Sequence, residues 1–215
     1  MILKRIRVSV LDGQPTNCYI IEDETSKEAM VIDPGGEVDK IIDMLDTLGA
    51  NLKYIFLTHC HADHAYGANE LRAQKDATIL IHRDDYDALN DDRQNLATYI
   101  GMNEMHIYDV MRLDEHDKIH VGDIEFDVMH TPGHTAGGSS LYCESEKMVF
   151  TGDAMFRGTW GRTDLPTGSL EAIMDSIMNK LLQLPDDTIV YPGHGKSTMI
   201  REERPIYEDL SPRID

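Results

Sequence analysis

Apolar and polar residues alternate along much of this chain in a way that predicts many short strands separated by helices. Apolar runs, alternating or continuous, predict strands near residues 2–10, 16–22, 28–33, 53–57, 78–81, 118–121, 124–129, 139–143, 147–151 and 188–191. Apolar residues at helical spacing predict helices near residues 37–48, 65–74, 83–90, 170–183 and 197–204. Periodicity alone therefore indicates an α/β or α+β fold.

The helix at 170–183 and the hairpin around residue 122 are the clearest of these elements. Apolar residues recur at near-helical spacing at Leu170, Ile173, Met174, Ile177, Leu181 and Leu182. Ser169 is suited to cap the first turn of this helix, and Leu184-Pro185 ends it. The turn at Val121-Gly122-Asp123 joins two predicted strands directly, so at least one pair of strands is antiparallel.

Length and composition indicate one domain, residues 1–215, without a nucleic-acid or membrane partner. A chain of 215 residues is long enough to bury a sizeable core. Its formal charge of −19, without a cluster of Lys and Arg, disfavours a nucleic-acid partner. No apolar run approaches the length of a membrane span, and the first ten residues lack the apolar core of a secretion signal. Three widely spaced cysteines suit a reducing compartment, so we expect a cytoplasmic protein and leave its oligomeric state open.

A dense cluster of metal-binding residue types follows the predicted strand that ends near residue 57. The sequence Thr-His-Cys-His-Ala-Asp-His places His59, His61, Asp63 and His64 within a few positions of one another. Alternation in extended chain puts His59 and His61 on one side, where their imidazoles can converge on one ion. Asp63 and His64 follow where a helix begins, and they can face a second ion. Nitrogen and oxygen donors of this kind suit zinc, iron or manganese.

Three further donors have the same local context downstream. His134, Asp153 and His194 each follow a strand-like apolar run and are flanked by glycine or by a Pro-Gly pair. Such flanks allow tight turns and close approach of the backbone. Together with the first cluster they supply enough donors for two ions, which disfavours the alternative that these are solvated loop residues. Cys60 lies between two donors, and alternation should turn its side chain away from them into the core.

At this point the chain resembles the metallo-β-lactamase superfamily over nearly its whole length. The cluster T-H-C-H-A-D-H, with His134, Asp153 and His194, matches the ordered motifs of that family. T-N-C-Y-I-I and M-V-I-D-P-G-G resemble its opening strands, with Asp33 at the position of the family's buried aspartate. The resemblance implies an αββα sandwich, in which two mixed β-sheets pack face to face, helices flank both outer sides and the metals lie at one edge.

The same resemblance implies a role for each donor. By that likeness the first metal is held by His59, His61 and His134, the second by Asp63, His64 and His194, and Asp153 bridges the two. Two divalent ions are expected, with zinc favoured and iron or manganese as alternatives. Two ions roughly 3.5–4 Å apart lower the pKa of a shared water towards neutrality, and the resulting bridging hydroxide can attack a carbonyl carbon. Asp63 is also expected to act catalytically by orienting that water.

The loop at 156–169 narrows the expected function. Its sequence, F-R-G-T-W-G-R-T-D-L-P-T-G-S, resembles the compact glyoxalase II-like (hydroxyacylglutathione hydrolase-like) branch and also the persulfide dioxygenases. Zinc β-lactamases of the common subclass carry a cysteine in place of Asp153, which disfavours antibiotic hydrolysis. We therefore expect a binuclear hydrolase that cleaves a small thioester or related ester. The alternatives are a dioxygenase with one iron bound by His59, His134 and Asp153, and a lactonase or phosphodiesterase of the same fold.

Substrate recognition is the least determined part of this prediction. Full-length glyoxalase II enzymes continue into a helical domain whose basic residues bind glutathione, whereas only residues 195–215 follow the last donor here. We expect that site to be missing or replaced, with Arg157 and Arg162 as candidates because a planar guanidinium suits a carboxylate. A structural salt bridge is the alternative for both, and Asp164 lies close to Arg162 in sequence. The segment 84–117 is weakly patterned; its Tyr99, Met102, Met105 and Tyr108 could line a pocket, although core positions are favoured for them.

Overall fold

The protein is described here by a computed structural model, which covers residues 1–11 and 14–210. Its strands are β1 (Ile2–Leu11), β2 (Gln14–Glu22), β3 (Glu28–Ile32), β4 (Asn51–Phe56), β5 (Thr78–His82), β6 (Met111–Leu113), β7 (Lys118–Val121), β8 (Ile124–His130), β9 (Ser139–Cys143), β10 (Met148–Gly152), β11 (Ile189–Pro192) and β12 (Thr198–Met199). Its helices are α1 (Val38–Leu48), α2 (Ala62–Ala65), α3 (Ala68–Lys75), α4 (Asp92–Asn95), α5 (Leu170–Asn179) and α6 (Ile200–Leu210). Within this described part, no helix is long and apolar enough to cross a bilayer.

The strands form two six-stranded mixed sheets. The first sheet has the order β1-β2-β3-β4-β5-β6, and the second has the order β12-β11-β10-β9-β8-β7. In the first sheet β3 to β6 are parallel, whereas β1, β2 and β3 pair in antiparallel fashion. In the second sheet only β10 and β11 are parallel. The expected sandwich of two mixed sheets flanked by helices is therefore confirmed.

Alternation along the central strands explains the layers. In β3, Ala29 and Val31 pack with the apolar faces of α1 and α3, while Met30 and Ile32 pack with the second sheet. Because both faces of such a strand are buried, its sequence reads as a continuous apolar run. On the far side of the second sheet, Val149 of β10 packs with α5 and α6. The order of layers is therefore helix, sheet, sheet, helix.

Most predicted elements are present, and the two missed strands are the shortest. All ten predicted strands occur, and the hairpin of β7 and β8 is antiparallel as predicted. The Ser169 side chain accepts a hydrogen bond from the Ala172 N–H at 3.2 Å, so the predicted cap of α5 is confirmed. β6 and β12 contain three and two residues, which is too short for an alternating pattern to show.

Four helix predictions need correction. The helix predicted at 170–183 ends at Asn179, and Leu181–Gln183 forms a separate 3₁₀ turn before Leu184-Pro185. The helix predicted at 65–74 starts earlier, at Ala62, and is broken between α2 and α3. The prediction at 83–90 was wrong in type, because this segment forms two short 3₁₀ turns, Arg83–Asp85 and Asp87–Asn90. The helix predicted at 197–204 begins only at Ile200, after β12, and continues to Leu210. The break between α2 and α3 lies where the Gly67 N–H donates to the Pro34 carbonyl at 2.8 Å, and Thr198–Met199 pairs with β11 instead of starting the helix.

Candidate metal centre

The loops that follow four strands meet at one edge of the sandwich and bring together the seven predicted donors. Backbone hydrogen bonds hold these loops in register. The Ser139 N–H donates to the Thr58 carbonyl at 2.9 Å, which joins the two sheets, and the Gly193 N–H donates to the Gly152 carbonyl at 2.8 Å. Gly152 has a φ of 48°, and a Cβ there would lie 2.4 Å from Thr58 Oγ1. Only glycine accommodates this close approach beside the site.

Three histidines form the first group of donors. The candidate ligand atoms of His59, His61 and His134 all lie within 4.8 Å of one another. His61 Nδ1 is 2.9 Å from His134 Nε2, and all three side chains are buried. The buried His59 Nε2 has no hydrogen-bond partner among the residues that the structure describes. Buried lone pairs that converge without donors are costly, and a metal ion would satisfy them.

The second group lies beside the first. His64 Nε2 is 3.2 Å from His194 Nε2, and Asp63 Oδ2 is 3.4 Å from His194 Nε2. Asp153 lies between the two groups, with Oδ1 at 3.4 Å from His64 Nε2 and Oδ2 at 3.6 Å from His134 Nε2. Asp153 Oδ1 is also buried without a hydrogen-bond partner in the described ranges. These clusters of histidine and aspartate fit a binuclear metal site.

Asp33, at the end of β3, orients a histidine of each group. Its Oδ2 lies 2.8 Å from His64 Nδ1, and it accepts a hydrogen bond from Thr58 Oγ1 at 2.7 Å. Thr58 Oγ1 is in turn 3.0 Å from His59 Nδ1. Because carboxylate and hydroxyl accept the Nδ1 protons, the Nε2 atoms of both histidines are left free to face the cluster.

Backbone carbonyls orient two further donors. His134 Nδ1 lies 2.7 Å from the carbonyl oxygen of Arg162, and His194 Nδ1 lies 3.2 Å from that of Pro15. Each ring can donate its Nδ1 proton to the carbonyl, which leaves Nε2 as the acceptor facing the cluster. Arg162 therefore supports the site through its main chain, a role that the sequence did not suggest.

Asp85 connects the two loops that carry the first group, and sequence reasoning missed it. Its carboxylate accepts hydrogen bonds from the Cys60 N–H at 2.9 Å, from Thr135 Oγ1 at 2.7 Å and from the Gly137 N–H at 2.6 Å. Burial raises the pKa of Asp85, and these three donors oppose that shift. The available signal was its position just after β5, the same context as the donors. The Cys60 side chain is buried in the core beneath the first sheet, as alternation predicted.

Helix α6 holds the loop that forms one wall of the site. The buried Glu203 carboxylate accepts a hydrogen bond from the Gly158 N–H at 2.7 Å, and the Tyr207 hydroxyl donates to the Thr159 carbonyl. Each of these contacts joins residues that are about 45 positions apart, so no local sequence pattern predicts it. They fix the loop whose next residues include Trp160 and the Arg162 carbonyl described above.

Burial and nearby charges shift the histidine pKa values in opposite directions in the two groups. Burial, reinforced by neighbouring histidines, lowers the pKa of His59 well below its ordinary value and lowers that of His61 to about 3. Burial also acts to lower the pKa of His64, but Asp153, Asp63 and Asp33 outweigh it and raise the value to about 10. The pKa of His194 is likewise raised against burial, mainly by Asp153 and Asp63. At neutral pH a cation that binds to the second group must therefore displace the extra proton of His64, whereas His59 and His61 are already neutral.

A cavity of about 770 Å³ opens above the donors. It is lined by His61, Asp63, Leu96, Tyr99, Ile100, Gly101, His134, Asp153, Phe156, Trp160, Gly161, Arg162, Leu165 and His194. Tyr99 thus lines a pocket, whereas Met105 is a core residue and Tyr108 is exposed outside the cavity. The donors form its floor, and aliphatic and aromatic side chains form most of its walls. A small molecule with an apolar portion fits this shape.

The two arginines considered for substrate binding occupy different places. Arg162 lines the cavity, and its Nε and Nη2 each donate to the Asp164 carboxylate at 2.9 Å. Both members of this ion pair are exposed, with 63% and 69% of their side-chain surfaces accessible, so the pair is worth little to stability. Arg157 is exposed and does not line this cavity. A substrate role for either residue stays a prediction.

Comparison with known sequences identifies relatives of similar length. The profile of the metallo-beta-lactamase superfamily matches residues 11–194. An uncharacterized protein of Aquifex aeolicus is 38% identical over 205 residues, which cover 95% of this chain and 94% of that protein. A protein of Haemophilus influenzae named hydroxyacylglutathione hydrolase GloC is 35% identical over 190 residues, which cover 87% of this chain and 89% of that protein.

Solved structures share the fold over nearly the whole chain. BLEG-1, described as a B3 metallo-beta-lactamase, is 32% identical with a TM-score of 0.87 and covers 95% of this chain and 97% of its own. TTHA1623, solved in a di-iron-bound form, is 32% identical with a TM-score of 0.83 and respective coverages of 94% and 96%. ETHE1 from Myxococcus xanthus is 30% identical with a TM-score of 0.78 and coverages of 100% and 92%.

Proposed function

Because the chain belongs to the metallo-beta-lactamase superfamily, we propose that it binds two divalent ions and hydrolyses a small thioester or related ester. The observation that carries this proposal is the position of Asp153. Its Oδ1 lies 3.4 Å from His64 Nε2, and its Oδ2 lies 3.6 Å from both His134 Nε2 and His194 Nε2. One carboxylate thus reaches both groups of donors, as a binuclear centre requires.

Each donor has one place in this proposal. The first ion would be held by His59, His61 and His134, the second by Asp63, His64 and His194, and Asp153 would be shared between them. Zinc suits this donor set, and iron or manganese would fit the same nitrogen and oxygen atoms. When bound, two ions so close together lower the pKa of a shared water and polarise the carbonyl oxygen of the substrate.

The protein's own groups supply orientation and exclude water. Asp63 lines the cavity next to the second group, where its carboxylate can accept a hydrogen bond from the attacking water. Burial acts to raise the pKa of Asp63, but His64 and His194 hold it below the ordinary value, so the group stays ionised and able to accept. Phe156 and Trp160 cover the cavity wall with apolar surface, which limits access of bulk water to the reacting carbonyl.

A thioester of a hydroxy acid is the substrate class that these features support best. The similarity to the Haemophilus influenzae protein named hydroxyacylglutathione hydrolase GloC covers most of the chain. The cavity volume of about 770 Å³ suits a small molecule. The formal charge of −19 disfavours a phosphodiester polymer as the partner. We therefore propose S-lactoylglutathione as the first substrate to test.

An iron-dependent dioxygenase is the second candidate, because the loop at 156–169 also resembles that of the persulfide dioxygenases. In that case one iron would be held by His59, His134 and Asp153. The second group weighs against this candidate, since Asp63, His64 and His194 also converge within 4.8 Å of one another. β-Lactam hydrolysis is a third outcome to test, because BLEG-1 is similar over 95% of the chain.

Metal content and three assays on one preparation separate these candidates. Bound metals are counted per chain, and the protein is assayed for hydrolysis of S-lactoylglutathione, for oxygen uptake with glutathione persulfide and for hydrolysis of the chromogenic β-lactam nitrocefin. The proposal expects two ions per chain and hydrolysis of the thioester. One iron per chain with oxygen uptake would replace it with the dioxygenase, and nitrocefin turnover without thioester hydrolysis would replace it with a β-lactamase.

A further inference from the structure

Glycine lies on both sides of His194, so this donor has no flanking side chains that could hold its loop by packing. The His194 side chain keeps 25% of its surface accessible, whereas that of His64 beside it is fully buried. A Cβ at Gly193 would lie 2.3 Å from Asp153 Oδ1, so the close approach to the site requires glycine there. Because glycine leaves the backbone free to adopt many conformations, other contacts must fix this loop.

Asn17, on β2 of the first sheet, holds the main chain on both sides of His194, which follows β11 of the second sheet. The Asn17 Nδ2 donates hydrogen bonds to the Pro192 carbonyl at 2.9 Å and to the Gly195 carbonyl at 3.1 Å. Its backbone N–H donates to the Gly193 carbonyl at 2.7 Å. Asn17 is buried, so these bonds are shielded from competing water. One residue of the first sheet thus fixes three carbonyls of a four-residue segment of the second.

Both N–H groups of the Asn17 side-chain amide are used in these bonds, whereas its oxygen is not. The Asn17 Oδ1 is buried and has no hydrogen-bond partner within residues 1–11 and 14–210. A buried oxygen without a donor lowers stability. Leucine has a side chain of the same branched shape and would avoid this cost, but it has no N–H to donate. The two hydrogen bonds to the loop therefore explain an asparagine at this position better than packing does.

Neighbouring residues of β2 reinforce the same contact between the sheets. The Tyr19 hydroxyl donates to the Pro192 carbonyl at 2.7 Å, and Thr16 pairs with His194 in an antiparallel bridge. Among the residues that the structure describes, only the Asn17 side chain donates hydrogen bonds to the main chain both before and after His194. The course of the loop at His194 therefore depends on Asn17 more than on its neighbours.

We propose that Asn17 is a positioning residue for the second ion, because it fixes the loop that aims His194 at the other donors. This inference rests on the proposed function and deepens it. His194 Nε2 lies 3.2 Å from His64 Nε2 and 3.4 Å from Asp63 Oδ2, and a freed loop would let the ring move away from both. Asn17 does not line the cavity above the donors, so it acts through His194 and not on the substrate.

The first ion should be independent of Asn17. Its proposed donors lie on the loops after β4 and β8, and the Asn17 side chain makes no hydrogen bond to either loop in the described part of the chain. A residue that merely held the two sheets together would affect both ions alike, because each group of donors includes loops of both sheets. A selective effect on the second ion therefore distinguishes positioning of His194 from general support of the fold.

Competition of the protein with a chromophoric chelator for Zn²⁺ measures the two affinities. In Asn17→Leu we expect affinity for the second ion to fall on the order of tenfold or more, as for loss of other residues that orient a ligand, with affinity for the first unchanged. The matched control is Asn95→Leu, since Asn95 is a buried asparagine whose Nδ2 also donates to two backbone carbonyls, those of Leu89 at 3.2 Å and Met105 at 3.3 Å. It should change neither affinity. Asn17→Ser, which leaves room for a water, replaces Asn17→Leu if that variant does not fold.

Hydrogen exchange keeps this inference separate from the proposed function. The amide hydrogens of residues 193–196 should exchange faster in Asn17→Leu than in the unmodified protein, and Asn95→Leu should not change their rates. Equal weakening of both ions, unchanged affinity for the second ion, or unchanged exchange would overturn the role of Asn17 while leaving the binuclear centre intact. An unmodified protein that binds fewer than two ions would overturn the proposed function, and the exchange rates would still decide whether Asn17 holds the His194 loop.

Discussion

Asp33 Oδ2 lies 2.8 Å from His64 Nδ1, and this contact determines which ring nitrogen of His64 faces the second group of donors. The same carboxylate reaches His59 of the first group through Thr58 Oγ1. Asp33 adopts a φ of 53°, a left-handed conformation that aspartate tolerates better than most residues. One buried carboxylate at the end of β3 therefore orients the rings on which both proposed ions depend.

Replacing this carboxylate should weaken metal binding without touching a proposed ligand. In Asp33→Asn the amide can keep only part of the hydrogen bonding to His64 and Thr58, so the His64 ring loses its fixed orientation. We expect affinity for the second ion to fall roughly 10- to 100-fold, the usual effect of removing such a partner. Competition with a chelator measures it, and the exposed Asp43 on α1, changed to Asn, is the control for lost charge. Unchanged affinity for both ions would contradict the role of Asp33.

Replacing Asp153 and replacing Asp63 should have different effects on metal content and turnover. Since Asp153 approaches donors of both groups, Asp153→Ala should lower the total metal content and the turnover. Asp63 lies within 3.6 Å of donors of the second group only, so Asp63→Ala should release mainly one ion and should also lower kcat. Metal analysis after dialysis, together with steady-state kinetics, checks both variants. An Asp153→Ala protein with two ions and near-normal rates would show that the bridging role is wrong.

The two ions should respond differently to pH. The pKa of His64 is raised to about 10, so its ring carries a proton at neutral pH that a metal must displace, and the pKa of His194 is raised in the same direction. The pKa of His59 is lowered, and that of His61 is lowered to about 3, so these rings are already neutral. Affinity for the second ion should therefore rise steadily from pH 6 to 9, whereas affinity for the first should change little. Metal titrations at several pH values decide this, and parallel curves for both ions would contradict it.

Asp85 should contribute to stability and to the geometry of the first group. The Asp85 carboxylate accepts three hydrogen bonds, whereas the N–H₂ group of an asparagine cannot accept any. Asp85→Asn therefore loses at least one of the hydrogen bonds from Cys60, Thr135 and Gly137. We expect the free energy of unfolding to fall by about 1–3 kcal/mol, as for other buried groups left unpaired. Urea denaturation measures the change. The neighbouring Asp84, half exposed, gives the control variant Asp84→Asn, and an equal effect of both would show that only charge matters.

The sequence predicted the sheets and the seven donors because both have local signals. Buried strands such as β3 appear as continuous apolar runs, and four of the donors lie within six positions of one another. Strand β6 and the 3₁₀ turns at Arg83–Asp85 and Asp87–Asn90 escaped prediction because they are short and depend on tertiary contacts. The apolar residues in these short elements show neither the alternation of a strand nor the spacing of a helix.

The residues that position the donors could not be predicted from the spacing of residues in the sequence, because their contact partners are distant in sequence. Asp85 contacts residues 25 and 52 positions away, and Glu203 contacts Gly158 45 positions away. Arg162 illustrates the same limit. The sequence makes its side chain a candidate to bind a substrate carboxylate. In the structure its carbonyl oxygen accepts a hydrogen bond from His134 Nδ1, and its guanidinium is paired with Asp164. Any residue type has a carbonyl oxygen, so a backbone contact of this kind cannot be predicted from the sequence.

Anomalous diffraction from crystals of the metal-loaded protein tests the central claim most directly. Data collected at the absorption edge of the bound metal should show two peaks roughly 3.5–4 Å apart, with the Asp153 carboxylate between them. The first peak should lie against His59, His61 and His134, and the second against Asp63, His64 and His194. A single peak bound by His59, His134 and Asp153, with no metal at His64 and His194, would contradict the binuclear centre.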